Sequence, residues 1–196
     1  LSAHADAALG LTLGDIANDD LALYPQLKQA AASLGVPWLH VPGNHDLDAD
    51  AGDDAGSLRT YQRHFGPDTY AWEEAAAVFV MLDNVIAMPG ERPAYVGGLR
   101  EDQFDFLERY LAELDRSRLL VVAVHIPWFD IASEGRQPTM RAGDRARLFA
   151  LLEPFPNVLL LSGHRHAQRR VLHDAASGWQ GAAPLPEYNI GALSGA

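Results

Sequence analysis

A chain of 196 residues with 48% hydrophobic side chains can bury a full core, so a single globular domain over residues 1–196 is expected. Its net charge of −11, from 15 Lys and Arg against 26 Asp and Glu, argues against nucleic acid or an anionic membrane as partner and favours dissolved metal cations. The absence of cysteine excludes disulfides, zinc-thiolate sites and thiol nucleophiles, and no apolar run is long enough to cross a bilayer; the chain reads as soluble, with its compartment left open.

The first predicted element is a short apolar strand over residues 9–13, which delivers Asp15 just beyond its end at Gly14-Asp15-Ile16. Asp19 or Asp20 caps the next helix, where Leu23, Leu27, Ala30, Ala31 and Leu34 recur at helical spacing before Gly35 ends it. Residues 36–41 form a second strand, with His40 read as structural, and it runs into Gly43-Asn44-His45-Asp46. Residues 47–56 read as a loop, Ser57 caps a short helix to Phe65, and Gly66-Pro67-Asp68 turns the chain. Residues 70–73 and 78–82 form a hairpin or adjacent strands, the second ending at Asp83-Asn84, and residues 87–98 are a loop.

Residues 101–117 are the clearest amphipathic helix, with Phe104, Leu107, Leu111 and Leu114 facing inward. The continuous apolar run 119–124 reads as a central strand ending on His125. After a loop over 129–143, a helix starts at Asp144 and runs to Leu152, where Pro154 and Pro156 stop it. Residues 158–161 form a strand that ends in Ser162-Gly163-His164-Arg165-His166, and late strands follow over 169–173 and 188–193. Strands alternating with helices predict a layered α/β fold, whose strand C-termini are the edge where ligands bind.

Asp15, Asn44, His125, His164 and His166 each follow an apolar run, so adjacent strands would bring them to one rim. Carboxylate, amide oxygen and imidazole suit divalent Mn, Fe, Zn or similar ions. Two such ions about 3.5–4 Å apart can clamp a phosphate and lower the pKa of a water. Each piece also has a plainer reading. A Gly-Asp after a strand serves as a cap or turn, Gly-Asn-His-Asp suits an ordinary turn, and His125 before Ile126-Pro127 fits a core histidine. Gly163-His164-Arg165-His166 works as a polar turn, although two imidazoles two residues apart in extended chain face one side. The recurrence of all four at strand ends favours the metal-binding rim. Arg165 and Trp128 border these loops as candidate substrate contacts, Arg165 by pairing with a phosphate oxygen, while Trp128 and Phe129 serve equally well as loop anchors.

Taken in order, Gly14-Asp15, Gly43-Asn44-His45-Asp46, His125 and Gly163-His164-Arg165-His166 resemble motifs two to five of the calcineurin-like metallophosphoesterase superfamily, over nearly the whole chain. The resemblance implies an α/β sandwich of two central mixed sheets flanked by helices. It implies a metal-dependent phosphoesterase that hydrolyses a phosphate mono- or diester, on a small molecule or a modified macromolecule, with two divalent metal ions. Asp15 is then the bridging ligand, Asn44, His125 and His164 complete the second metal site, and His166 belongs to the first. His45 is implied to contact the phosphate and assist the leaving oxygen, with Asp46 orienting its imidazole.

The family's opening motif, Asp-x-His, has no counterpart here. His4-Ala5-Asp6 has the wrong order and reads as surface. The expectation is therefore a domain truncated at the N-terminus, and also where the last strand breaks off, with its first metal site incomplete. Rival readings are a binding or scaffold module that keeps the fold without turnover, and a metal hydrolase acting on other substrates.

Overall fold

The computed structural model describes residues 7–92, 94–129 and 139–192. In chain order its elements are β1 (Gly10–Leu13), α1 (Tyr24–Ala32), β2 (Trp38–Val41), α2 (Arg59–Phe65), β3 (Tyr70–Glu73), β4 (Ala77–Met81), β5 (Val85–Ala87), β6 (Tyr95–Gly97) and α3 (Glu101–Glu113). The second half adds β7 (Leu119–Ala123), α4 (Ala142–Leu152), β8 (Val158–Ser162), β9 (Arg169–His173) and β10 (Leu185–Asn189).

Six strands form one mixed sheet in the order β3-β4-β7-β8-β10-β9. The inner four, β4, β7, β8 and β10, run parallel, while β3 and β9 close the two edges antiparallel. The inner strands read as nearly unbroken apolar runs because both faces of the sheet are covered. On one face Val78, Val80, Leu120, Val122 and Leu160 pack with Phe104, Leu107 and Leu111 of α3 and Leu148, Phe149 and Leu152 of α4. On the other, Met81 and Ala123 pack against Leu39 and Val41 of the parallel pair β1–β2, with Leu11 and Leu13 beside them. The result is the layered α/β sandwich that the resemblance implies, except that its second sheet is a two-stranded parallel pair and only the six-stranded sheet is mixed, and it sends β1, β2, β7 and β8 toward one rim.

Several elements differ from expectation. Helix α3 stops at Glu113 because Leu114 turns extended, which leaves Leu114 only partly buried while Phe104, Leu107 and Leu111 are core. Leu23, Leu27 and Leu34 are 36–38% exposed; the residue that α1 buries is Tyr24, whose hydroxyl reaches Asp46. Helical spacing of apolar residues does not by itself say that a face is covered. The segment predicted as a loop over 87–98 holds half of a short antiparallel hairpin, β5–β6. The last strand lies at Leu185–Asn189 rather than 188–193, set by its pairing to β8 and β9, and Leu193 lies outside the described residues. So do His4-Ala5-Asp6 and residues 130–138 of the loop after His125.

Candidate metal centre

Four strand ends build the site, and the local backbone is bent to do so. Among the described residues the non-glycine positions with φ in the left-handed region are Asp15 (52°), Asp19 (65°), His164 (68°) and His166 (48°), all at or beside this rim. Such a conformation costs a residue with a Cβ on the order of 1 kcal/mol. Glycine is required where the segments cross: a side chain on Gly14 would run into the His125 ring, and one on Gly43 into Asp15.

The side chains of Asp15, His125 and His164 form one group whose ligand atoms all lie within 4.8 Å of one another. His125 Nε2 is 3.3 Å from Asp15 Oδ1, 3.0 Å from Asn44 Oδ1 and 3.1 Å from His164 Nδ1. His164 Nδ1 is also 2.9 Å from Asn44 Oδ1. The tautomer of His125 follows from its other nitrogen, Nδ1, which lies 2.7 Å from the Leu13 carbonyl oxygen. A carbonyl only accepts, so Nδ1 carries a proton and Nε2 is the nitrogen turned toward the cluster. A carboxylate, an amide oxygen and two imidazole nitrogens thus crowd together, with neighbouring atoms 2.9–3.3 Å apart. A divalent cation is what such a donor set fits.

The electrostatics agree. Burial pushes the Asp15 carboxyl up, but the neighbouring His125 and the His45 N–H, which donates to Asp15 Oδ1 at 3.0 Å, outweigh it and leave the pKa below its ordinary value. Burial, with His125 beside it, pushes His164 down to about 4, so its ring is neutral and free to coordinate.

His45 and Asp46 part company. His45 is partly exposed, and its Nδ1 pairs with Asp19 Oδ1 at 2.8 Å. Asp46 is buried and does not orient that imidazole, contrary to expectation. Its carboxylate accepts instead from the backbone N–H of Gly43 (2.8 Å) and of Ile16 and Ala17 (3.1 and 3.3 Å), and from the Tyr24 hydroxyl (2.8 Å). Asp46 therefore ties the Gly43 turn to the Asp15 turn, and four donors leave it no free edge for His45.

The remaining candidates separate clearly. His166 is exposed and outside the Asp15 group. Arg165 is exposed beside His164. Trp128 is fully buried, with its backbone N–H on Glu187 Oε1 at 3.0 Å, so it is a loop anchor and not a substrate contact. Asp19, a cap candidate by sequence, instead reaches the rim at His45. One supporting residue escapes the sequence reading: Asn189, buried at the end of β10, donates from Nδ2 to the Gly163 carbonyl that precedes His164. No apolar run precedes it, since β10 reads Leu-Pro-Glu-Tyr-Asn, so the signal used for the ligands is missing there.

A model of the calcineurin-like phosphoesterase family matches residues 4–168, and the chain belongs to that family. It is 29% identical over 166 residues to the 3′,5′-cyclic adenosine monophosphate phosphodiesterase CpdA of Escherichia coli K12, and equally to that of Escherichia coli O157:H7. That stretch is 79% of this chain and 53% of each relative, so the chain spans about half the length of the curated relatives it matches. A solved dimetal phosphatase from Danio rerio shares the fold, with a TM-score of 0.61 and 17% identity over 95% of this chain and 73% of that one.

Proposed function

We propose that this calcineurin-like phosphoesterase chain is one catalytic domain that hydrolyses a phosphate mono- or diester, with Asp15, Asn44, His125 and His164 holding a divalent metal ion and His45 giving a proton to the leaving oxygen. The observation that carries this reading is the convergence of one carboxylate, one amide oxygen and two imidazole nitrogens, among them His125 Nε2, from four strand ends. Mn, Fe and Zn are the ions such donors favour. When bound, the ion supplies Lewis acidity toward the phosphoryl group and lowers the pKa of a water.

The chain's own residues account for the rest. Asp19 accepts from His45 Nδ1–H, which leaves Nε2 as the nitrogen that carries or yields a proton. Arg165, exposed next to His164, can pair with a non-bridging phosphate oxygen. His166 is the candidate for a first metal site beyond the observed cluster. A scaffold without turnover would have no use for an imidazole held at the rim in this way. Because the Escherichia coli relative is named as a cyclic AMP phosphodiesterase, cyclic AMP joins the substrates to try.

The test is hydrolysis of bis(p-nitrophenyl) phosphate, p-nitrophenyl phosphate and cyclic AMP, by protein stripped with chelator and then refilled with Mn²⁺, with bound metal quantified. Activity that disappears with the metal and returns with it is expected. Metal-loaded protein inert toward all three would favour the scaffold.

A further inference from the structure

We propose that Asn84, outside the ligand cluster, is a positioning residue that sets where His125 stands and thereby how tightly the site holds its cation; the second half of that statement rests on the metal reading above. Asn84 is fully buried at the point where β4 has ended and the chain turns into β5. The last backbone bond joining this segment to the β7 segment runs from Leu82 N–H to the Ala123 carbonyl at 3.0 Å. Beyond it the chain leaves the sheet, its turn fixed by Val85 N–H donating to Asp83 Oδ1 at 3.0 Å.

Val124 N–H still pairs with the Leu161 carbonyl of β8, but the backbone N–H groups of His125 and Ile126, just past β7, find no backbone acceptor among the described residues, in a buried environment where an unmade bond costs about 1–3 kcal/mol. The Asn84 side chain takes the strand's place. Its Oδ1 accepts from His125 N–H at 3.1 Å and from Ile126 N–H at 2.9 Å, and its Nδ2 donates to the Ile126 carbonyl at 2.7 Å. One primary amide reproduces the acceptor and the donor of a peptide unit on two separate atoms, which no aliphatic, hydroxyl or ionised carboxylate side chain can do.

The His125 backbone is therefore pinned where its ring must span from the Leu13 carbonyl on one nitrogen to Asn44 Oδ1 on the other, at 2.7 and 3.0 Å. The Asn84 carbonyl also accepts from Gly98 N–H at 3.1 Å, just past β6. The hairpin so held carries Tyr95, whose ring meets that of His164 edge-on with centroids 6.2 Å apart. A single buried residue thus fixes one imidazole directly and braces the wall behind another.

The test compares Asn84→Ala and the isosteric Asn84→Asp with Leu111→Ala, a core truncation remote from the rim. Two readouts are taken on each folded protein. The first is the His125 Nδ1–H proton resonance of metal-free protein and its protection from exchange. The second is Mn²⁺ affinity, from the loss of free-ion EPR signal. Asn84→Ala is expected to lose the protected resonance and to bind Mn²⁺ about 10–100-fold more weakly. Asn84→Asp, which keeps Oδ1 but sets an oxygen against the Ile126 carbonyl, should fall between.

Leu111→Ala should lower the melting temperature and leave both readouts near wild type. The proposal is overturned if Asn84→Ala keeps the resonance and the affinity, or if Leu111→Ala loses them equally. Should Asn84→Ala fail to fold, wild-type readouts in Asn84→Asp overturn it just as well. A wild-type protein that binds no Mn²⁺ would remove the metal reading, and the resonance would still decide the role of Asn84.

Discussion

Asp19 Oδ1 lies 2.8 Å from His45 Nδ1, joining the connection after β1 to the turn after β2 at the edge of the cluster. Burial alone would pull the His45 pKa down, but the Asp19 hydrogen bond and the charges of Asp15 and Asp19 more than offset it and leave the pKa raised. Such a group can donate to a leaving alkoxide. Replacing His45 with Ala should slow alkyl phosphoesters by about 10²–10⁴-fold and activated aryl esters much less, with metal content unchanged. Asp19→Ala should shift the aryl-to-alkyl ratio in the same direction by a smaller factor. An unchanged ratio in both variants would remove the acid role, and lost metal in His45→Ala would make His45 a ligand.

Asp15→Ala and His164→Ala should lose metal and activity together. The check is elemental analysis after gel filtration, alongside rates with excess Mn²⁺. Retained stoichiometric metal in either variant would contradict the ligand assignment. Wild type treated with chelator should regain its rate on refilling, and the variants should not.

Glu187 is a buried carboxylate with three obligations. It accepts from Trp128 N–H and from the Ser162 hydroxyl at 3.0 and 2.8 Å on Oε1, and pairs with His173 Nε2 at 2.7 Å on Oε2. Glu187→Ala strands all three buried partners and should cost about 3–5 kcal/mol in urea unfolding. Glu187→Gln, which keeps the shape, should cost less. A loss below about 1 kcal/mol for the Ala variant would show that the network contributes little.

His40 gives a pH signature. Burial, with Lys28 adding to it, pushes its pKa down to about 4 from an ordinary 6.5. Below about pH 6.5 the unfolded chain takes up a proton that the folded chain refuses, so the stability present above that pH is lost as pH falls toward 4. Each unit is worth about 1.4 kcal/mol, and partial solvent exposure brings the expected loss at pH 4.5 to about 2 kcal/mol. His40→Leu, which replaces an imidazole whose buried Nδ1 has no hydrogen-bond partner, should flatten the curve by that amount. Parallel curves for wild type and variant would show that His40 titrates normally.

What could be read in advance followed from local rules. The apolar run over β7 announces a strand covered on both faces, and the histidine closing it marks the rim. The ordered motifs alone put Asp15, Asn44, His125 and His164 in one place. What escaped depended on partners far apart in sequence. The family resemblance implies that Asp46 orients His45, yet its carboxylate serves Ile16, Ala17 and Tyr24, which are 22 to 30 residues away. The exposure of Leu23 and Leu27 reflects what lies over α1, which no periodicity encodes. By sequence Trp128 serves as a substrate contact or a loop anchor equally well, and the choice between them rests on Glu187, 59 residues later, which holds its backbone.

The left-handed backbone at Asp15, Asp19, His164 and His166 bears on how this sequence would drift under laboratory selection. At those four positions glycine suits the backbone better than the residue present, so the folding optimum and the chemical optimum name different amino acids. A library screened only for expression or heat tolerance would gather glycines there, yielding sturdier proteins with emptied rims. Turnover has to be part of any screen applied to this scaffold.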